Sequence, residues 1–273
     1  MNHLAVIGDP INHSLSPLMH NAALKDKNLS KFYDYKAIHI KTDSLDNFIS
    51  SLDKEGITGF NVTLPHKIAI IKYLKRIDST VEDIGAVNTV LKKDSKLIGY
   101  NTDVKGFLDS LDDNGIVYQN RRVLILGAGG TAQTIVYGLV KQGVSIEIYN
   151  RTESKALAIK KRFDKLGKIS VINELETDDV ELIINATSVG LNNHDSPIHS
   201  DLIKKKHTVM DIIYNPFLTP LLKQAKLKQC IYLNGLDMLV NQGAIAFKLF
   251  TGIEPDKTVM KDSLLAHFKN KNI

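Results

Sequence analysis

The chain of 273 residues carries a single cysteine, Cys230. One thiol excludes an intrachain disulfide and any thiolate cluster that could hold a metal. Its strand-like setting, Cys230-Ile231-Tyr232-Leu233, suggests a buried core thiol. Long hydrophobic runs are also missing: no stretch approaches the roughly 18 apolar residues that a membrane helix needs. The N-terminus, Met1-Asn2-His3-Leu4-Ala5, lacks a basic region followed by an apolar segment and a cleavage site, so a cytoplasmic location is expected. There is no repeat at a fixed period and no low-complexity linker. Acidic residues are slightly outnumbered, with 30 Asp and Glu against 35 Lys and Arg and a net charge of +5. That balance favours anionic ligands, yet the lysines are dispersed apart from Lys204-Lys205-Lys206 and the C-terminal tail, and such runs are usually solvated faces. No nucleic-acid module is recognisable, and neither nucleic acid nor membrane is expected as a partner.

A composition 43% hydrophobic and 24% charged is that of an ordinary globular protein, and the length allows two domains. The most informative segment is Val-Leu-Ile-Leu-Gly-Ala-Gly-Gly-Thr-Ala at 123–132. An apolar strand enters a turn where Gly127 permits the bend, Gly129 lets backbone approach a pyrophosphate, and Gly130 and Ala132 keep the following helix close. The helix N-terminus then offers unpaired N–H groups to phosphate. The next apolar run, 144–149, ends in Asn150-Arg151-Thr152, where an NAD-binding fold places an acid on the ribose 2′-hydroxyl. A guanidinium there, with Lys155 one helical turn later, suits a 2′-phosphate, so NADP is expected over NAD.

Before that segment, strand and helix patterns alternate: strand 3–8, helix 17–27, strand 33–40, helix 44–54, strand 59–64. Alternation of this kind implies a mainly parallel sheet covered by helices. Two further strands, 86–92 and 96–100, flank Asp94-Ser95 as a hairpin, and a helix at 104–112 follows. The dinucleotide half runs βαβα from 122 to about 234, with helix 131–142 and strands at 144–149, 182–185 and 208–213. Helices at 238–250 and 256–269 close the chain and return to the first domain. The expected fold class is therefore α/β in two domains, 1–102 joined by about 238–273, and a Rossmann-type domain at 103–237.

Polar residues gather at strand ends and loop starts in the first domain: Ser14, Ser16, Asn61, Thr63, His66, Lys67, Asn88, Asn101 and Asp103. Ligands of open parallel sheets bind at the carboxyl ends of strands. Hydroxyls and amides suit a polyhydroxylated ligand carrying one carboxylate. Ser16-Pro17 reads as an N-cap followed by the first helical residue. Taken singly, Asp103 reads as a helix cap and Lys67 as an exposed lysine after Pro65.

Together these segments resemble shikimate dehydrogenases. The resemblance is carried by Gly8-Asp9-Pro10, Ser14-Leu15-Ser16-Pro17, Asn61-Val62-Thr63-Leu64-Pro65-His66-Lys67, Gly85-Ala86-Val87-Asn88-Thr89, Gly99-Tyr100-Asn101-Thr102-Asp103, Asn185-Ala186-Thr187 and Asn241-Gln242-Gly243-Ala244. It implies an N-terminal substrate-binding domain and NADP-dependent interconversion of 3-dehydroshikimate and shikimate in aromatic amino-acid biosynthesis, by a monomer or homodimer. By the same resemblance Lys67 and Asp103 are catalytic, and Ser14 and Ser16 hold the substrate carboxylate. Thr63, Asn88, Asp103, Tyr214 and Gln242 hold its hydroxyls. Gly127, Ala128, Gly129, Gly130 and Thr131 take the pyrophosphate, and Asn150, Arg151, Thr152 and Lys155 the adenosine phosphate. Ile212 and Gly235 meet the nicotinamide end. Two departures stand out: Thr131-Ala132 where many members carry Ala-Ser or Ala-Ala, and Lys155 where many carry Arg, which keeps the charge but loses the bidentate fork.

A lysine beside a carboxylate suits the reducing direction as a cation, stabilising charge that grows on a carbonyl oxygen and then donating the proton. Two alternatives to that reading are a quinate/shikimate dehydrogenase of broader specificity and a catalytically silent NADP- or shikimate-binding regulator. Arg151 speaks against the NAD use common in the first, and the retention of both Lys67 and Asp103 against the second, since a sensor needs affinity but not proton transfer.

Overall fold

The computed structural model describes residues 1–191 and 193–270. They form two units, one of Met1–Gly106 together with residues 240–270, the other of Phe107–Leu239. Both chain crossings fall inside helices, α5 (Asp103–Asp112) and α9 (Leu236–Thr251), rather than at loops.

The first unit is built on β1 (Asn2–Gly8), β2 (Tyr33–His39), β3 (Ile57–Val62), β4 (Arg76–Ile77), β5 (Thr89–Lys93) and β6 (Lys96–Tyr100). They lie in the order β2-β1-β3-β5-β6-β4. Strands β2, β1 and β3 run parallel, whereas β5 pairs antiparallel with both β3 and β6. The hairpin expected at Asp94-Ser95 is present, with both residues at positive φ (50° and 57°), as a tight turn matched to strand twist requires. Strand β5 begins at Thr89 rather than 86, with Val87 N–H bonded to the Lys67 carbonyl instead of to a neighbouring strand. One face of the sheet buries Ile7, Phe48, Phe60, Val62, Ile70 and Val90. The other receives α1 (Ser16–Asp26), α9 and α10 (Lys257–Asn270): Phe250 of α9 sits on Gly59, and Gly243 lies against Met19 and Met260. The C-terminal helices thus return to the first unit, as the sequence suggests.

The second unit holds β7 (Arg122–Leu126), β8 (Ser145–Tyr149), β9 (Ile169–Ile172), β10 (Leu182–Asn185), β11 (Thr208–Asp211) and β12 (Ile231–Leu233). Every pairing is parallel, in the order β12-β11-β10-β7-β8-β9. This is the doubly wound order of dinucleotide-binding folds, whose strand direction of progress reverses between β7 and β10. Both strands are covered on two faces and read as unbroken apolar runs, Val-Leu-Ile-Leu and Leu-Ile-Ile. Helices α6 (Gly130–Val140) and α7 (Glu153–Phe163) follow β7 and β8.

Several short elements carry no periodic signal in the sequence: β4, β9, α4 (Ser79–Ile84) and α8 (Pro220–Leu227). Both helices nevertheless begin at a side-chain cap, Asp78 accepting from Val81 N–H and Thr219 from Leu222 N–H. The other short helices are α2 (Leu45–Ser51) and the single turn α3 (His66–Ala69). No helix among the described residues is long and apolar enough to cross a membrane. Cys230 is buried, and that burial pushes its thiol up, away from the reactive thiolate.

Candidate active site

In the first unit, polar side chains collect where β1, β3 and β6 end and β5 begins. Two backbone bonds tie those ends together, Thr63 N–H to the Ile7 carbonyl and Val62 N–H to that of Asn88. Lys67 lies in α3, and His66 pins this turn by bonding the Ile40 carbonyl through Nε2 at 2.6 Å. Asp103 opens α5. The Asn101 carboxamide accepts from the N–H groups of Asp103 and Val104, so the residue that caps this helix is Asn101. The Asp103 carboxylate is thereby released from the capping role suggested by its position and is used elsewhere.

Its use is an ion pair: Lys67 Nζ stands 2.6 Å from Asp103 Oδ2. The other oxygen, Oδ1, accepts from Asn88 Nδ2 at 2.8 Å. Asn88 also donates to Thr102 Oγ1 at 2.8 Å, approaches Gln242 Oε1 at 3.4 Å, and accepts from Thr102 N–H at 2.7 Å. Four residues expected at the substrate, Lys67, Asn88, Asp103 and Gln242, are therefore brought into one cluster. The pair is sheltered but open to water, with the Lys67 side chain 25% and the Asp103 side chain 14% exposed. Ser14 lies on the loop after β1 and Ser16 opens α1, the Ser14 hydroxyl accepting from Ser16 N–H at 3.4 Å. Ser16 is the first helical residue and not the N-cap: Leu15 holds that position without a side-chain bond. Thr63, half-buried, follows β3. Tyr214 belongs to the second unit, on the loop after β11, and burial raises its phenol pKa and keeps its proton in place.

In the second unit the carboxyl ends of β10 and β11 are joined by a buried network. Asn185 donates to Asp211 Oδ1 at 3.0 Å and accepts from Thr187 N–H, while Asp211 Oδ2 accepts from the Thr219 hydroxyl at 2.7 Å. Burial raises the Asp211 pKa, with the Thr219 hydroxyl, Ile213 N–H and the Asn185 carboxamide opposing it. Gly127 adopts φ +113°, and a Cβ there would stand 2.8 Å from Thr187 Cγ2 and 3.0 Å from the Ala186 carbonyl oxygen. Only glycine serves both demands. Around Gly129 and Gly130 the space is open, with nothing within 4 Å of a Cβ built at either. For Gly129 this is the room a phosphate needs at the N-terminus of α6. For Gly130 it corrects the expectation of tight packing, a role left to the fully buried Ala132. Arg151, Thr152 and Lys155 are exposed after β8, with Asn150 bonding the Thr152 carbonyl. Gly235 lies directly against Ile212, whose carbonyl oxygen a Cβ would overlap. Open glycines at a helix N-terminus and exposed cations after the second strand fit a phosphorylated dinucleotide.

Family models match in three consecutive stretches: the shikimate dehydrogenase substrate binding domain over residues 6–90, shikimate / quinate 5-dehydrogenase over 112–212, and the shikimate 5'-dehydrogenase C-terminal domain over 235–265. A curated shikimate dehydrogenase (NADP(+)) from Nitrosopumilus maritimus is 44% identical over 270 residues, 97% of this chain and 98% of that protein. The chain belongs to the shikimate dehydrogenase family. A solved shikimate dehydrogenase in complex with NADP+ has TM-score 0.91 and 42% identity, covering 98% of this chain and 96% of its own. The Thermus thermophilus shikimate 5-dehydrogenase in complex with NADP(H) and shikimate has TM-score 0.89 and 35% identity, covering 97% and 99%.

Family membership accounts for the two-unit α/β architecture. The supports of the site were less visible in the sequence. Tyr35, Thr89 and Thr102 stand behind Asn88, and Asp211 and Thr219 behind the 212–219 loop, yet none belongs to the expected site. Thr89 and Thr102 lie inside quoted motifs and could have been found there; Tyr35, in the middle of an edge strand, carries no local signal.

Proposed function

We propose that this chain is an NADP-dependent shikimate dehydrogenase, interconverting 3-dehydroshikimate and shikimate in aromatic amino-acid biosynthesis. The observation that carries the reading is the Lys67–Asp103 ion pair at 2.6 Å, with Asp103 held by Asn88 on its second oxygen. The pairing suits carbonyl reduction at the strand ends where an open α/β sheet binds its ligand. When bound, the nicotinamide supplies the hydride for the carbonyl carbon. Lys67 donates a hydrogen bond to the carbonyl oxygen, stabilises the charge growing there and delivers the proton, and solvent water reaching the partly exposed amine left behind returns a proton to it. Asp103 aims the ammonium and accepts from a substrate hydroxyl. Ser14 and Ser16 each have a hydroxyl hydrogen to offer a carboxylate, and Thr63, Asn88, Tyr214 and Gln242 provide donors and acceptors for the ring hydroxyls.

The cofactor is held by the 127–131 turn at its pyrophosphate and by Asn150, Arg151, Thr152 and Lys155 at the adenosine phosphate. Ile212 and Gly235 form the nicotinamide end. The test is absorbance-monitored reduction of NADP, and separately of NAD, with shikimate and with quinate. Turnover of shikimate with NADP is expected. Lys67→Ala should lower kcat by about 100- to 10,000-fold, the range of a lost proton donor, with a much smaller rise in KM for shikimate. A variant altered in KM alone overturns the assignment of Lys67.

A further inference from the structure

Behind the Lys67–Asp103 pair lies a run of buried polar side chains that reaches to β2. The Tyr35 hydroxyl bonds Asn61 Oδ1 at 2.6 Å. Asn61 Nδ2 bonds Thr89 Oγ1 at 2.9 Å and the Asn88 carbonyl at 3.1 Å. Thr89 Oγ1 bonds Asn88 Oδ1 at 3.1 Å, and Asn88 Nδ2 reaches Asp103. Tyr35, Asn61, Asn88 and Thr89 are all buried.

Chemistry dictates the direction of every bond in this run. A carboxylate only accepts, so the NH2 group of Asn88 must face Asp103 and its oxygen must face Thr89 and the Thr102 N–H. Thr89 then donates to Asn88 and accepts from Asn61. The Asn61 NH2 group also faces a backbone carbonyl, which only accepts, and so Asn61 turns its oxygen to Tyr35. The phenol must therefore donate, and burial, by pushing the Tyr35 phenol up, keeps its proton in place. The ring that presents this hydroxyl is itself fixed. It stacks on His20 at 4.1 Å and 5°, and the Asn21 carboxamide binds both the N–H and the C=O of Tyr35.

We propose that Tyr35 is a positioning residue for catalysis, its hydroxyl orienting Asp103 and through it Lys67 by a one-way hydrogen-bond chain through Asn61, Thr89 and Asn88. The chain rests on the reading of Lys67 and Asp103 as the catalytic pair. Removing the phenol oxygen leaves the buried Asn61 oxygen without its donor. Both carboxamides keep the orientation that Asp103 and the Asn88 carbonyl impose, but the run loses its outermost donor, so Asn61 and Thr89 hold Asn88, the donor at Asp103 Oδ1, less firmly.

Steady-state kinetics of shikimate oxidation by Tyr35→Phe, Thr89→Val, Thr89→Ser and the Tyr35→Phe/Thr89→Val double variant test this, beside Lys67→Ala. Tyr35→Phe and Thr89→Val each interrupt the run and are expected to lower kcat about tenfold, the scale of one hydrogen bond, with the KM for NADP unchanged. Thr89→Ser keeps the hydroxyl and restores the rate. The double variant is expected to be no slower than Thr89→Val alone, because a chain broken twice in series fails once. A merely structural role would lower the melting temperature, leave kcat intact and add in the double variant; that result overturns the proposal. Should Tyr35→Phe not fold, the contrast between Thr89→Val and Thr89→Ser decides. Wild-type kcat in the interrupted variants beside an inactive Lys67→Ala removes the positioning role and spares the catalytic pair. An active Lys67→Ala removes the pair and the proposal with it.

Discussion

His20 lies at the centre of the first unit, on α1, stacked on Tyr35 and facing Phe247 and Phe250 of α9. It is fully buried, and neither ring nitrogen has a hydrogen-bonding partner among the described residues. Burial alone pushes its pKa from the ordinary 6.5 down to about 3. Between those two values the unfolded chain takes up a proton that the folded chain refuses, so stability is fully present above the unfolded pKa and is lost as the pH falls towards the folded one. At pH 5, about 1.5 units below the unfolded pKa, the loss relative to pH 7 is about 2 kcal/mol. That figure is set by the unfolded pKa as long as the folded one stays below the test pH. Urea unfolding of the wild type and of His20→Phe at pH 7 and pH 5 isolates it, because every other titrating group is common to both proteins. His207, whose pKa burial also lowers, cancels in the same way. The wild type should lose about 2 kcal/mol more than the variant between the two pH values. Any overpacking by the larger ring is an offset common to both. Equal losses would mean that His20 is protonated inside the fold or is not buried there, and would refute the reasoning.

Two substitutions probe the second unit. Arg151 is exposed, so Arg151→Ala should leave the melting temperature unchanged. It should raise the KM for NADP by roughly 10- to 100-fold, the scale of hydrogen bonds to a charged phosphate, while the KM for NAD stays the same; an equal effect on both cofactors would remove the 2′-phosphate role. Gly235→Ala places a methyl group on the Ile212 carbonyl oxygen and forces backbone apart, so thermal unfolding should report a loss of about 1–3 kcal/mol, with weaker NADP binding in a fluorescence titration. Wild-type values in both measurements would show that the approach of these two strands of backbone is not required.

What the sequence determined by itself is what short-range chemistry encodes. The parallel strands β7 and β10 are unbroken apolar runs because both their faces are covered, and that run followed by Gly127-Ala128-Gly129-Gly130 announces the dinucleotide fold. Asp94-Ser95 announces its hairpin, and the ordered motifs from Gly8 to Ala244 announce the family. Tertiary structure decided which polar residues act together. Lys67 and Asp103 are 36 positions apart, and only the closing of β3, β5 and β6 side by side sets them at 2.6 Å. The cap of α5 is Asn101 rather than Asp103, which leaves the carboxylate for the cation that the formed sheet brings to it. Ser16 is not an N-cap, since the backbone is already helical at Ser16 and Leu15 takes the cap position. Tyr35, in the middle of an edge strand, gives no sign of its connection to Asp103, for that run of bonds passes through β3 and β5 and exists only when they are paired. Local motifs register the backbone conformations and ligand chemistry that neighbouring residues impose on one another, whereas a hydrogen-bond network drawn from three strands and two helices is written nowhere along the chain and forms only in the packed sheet.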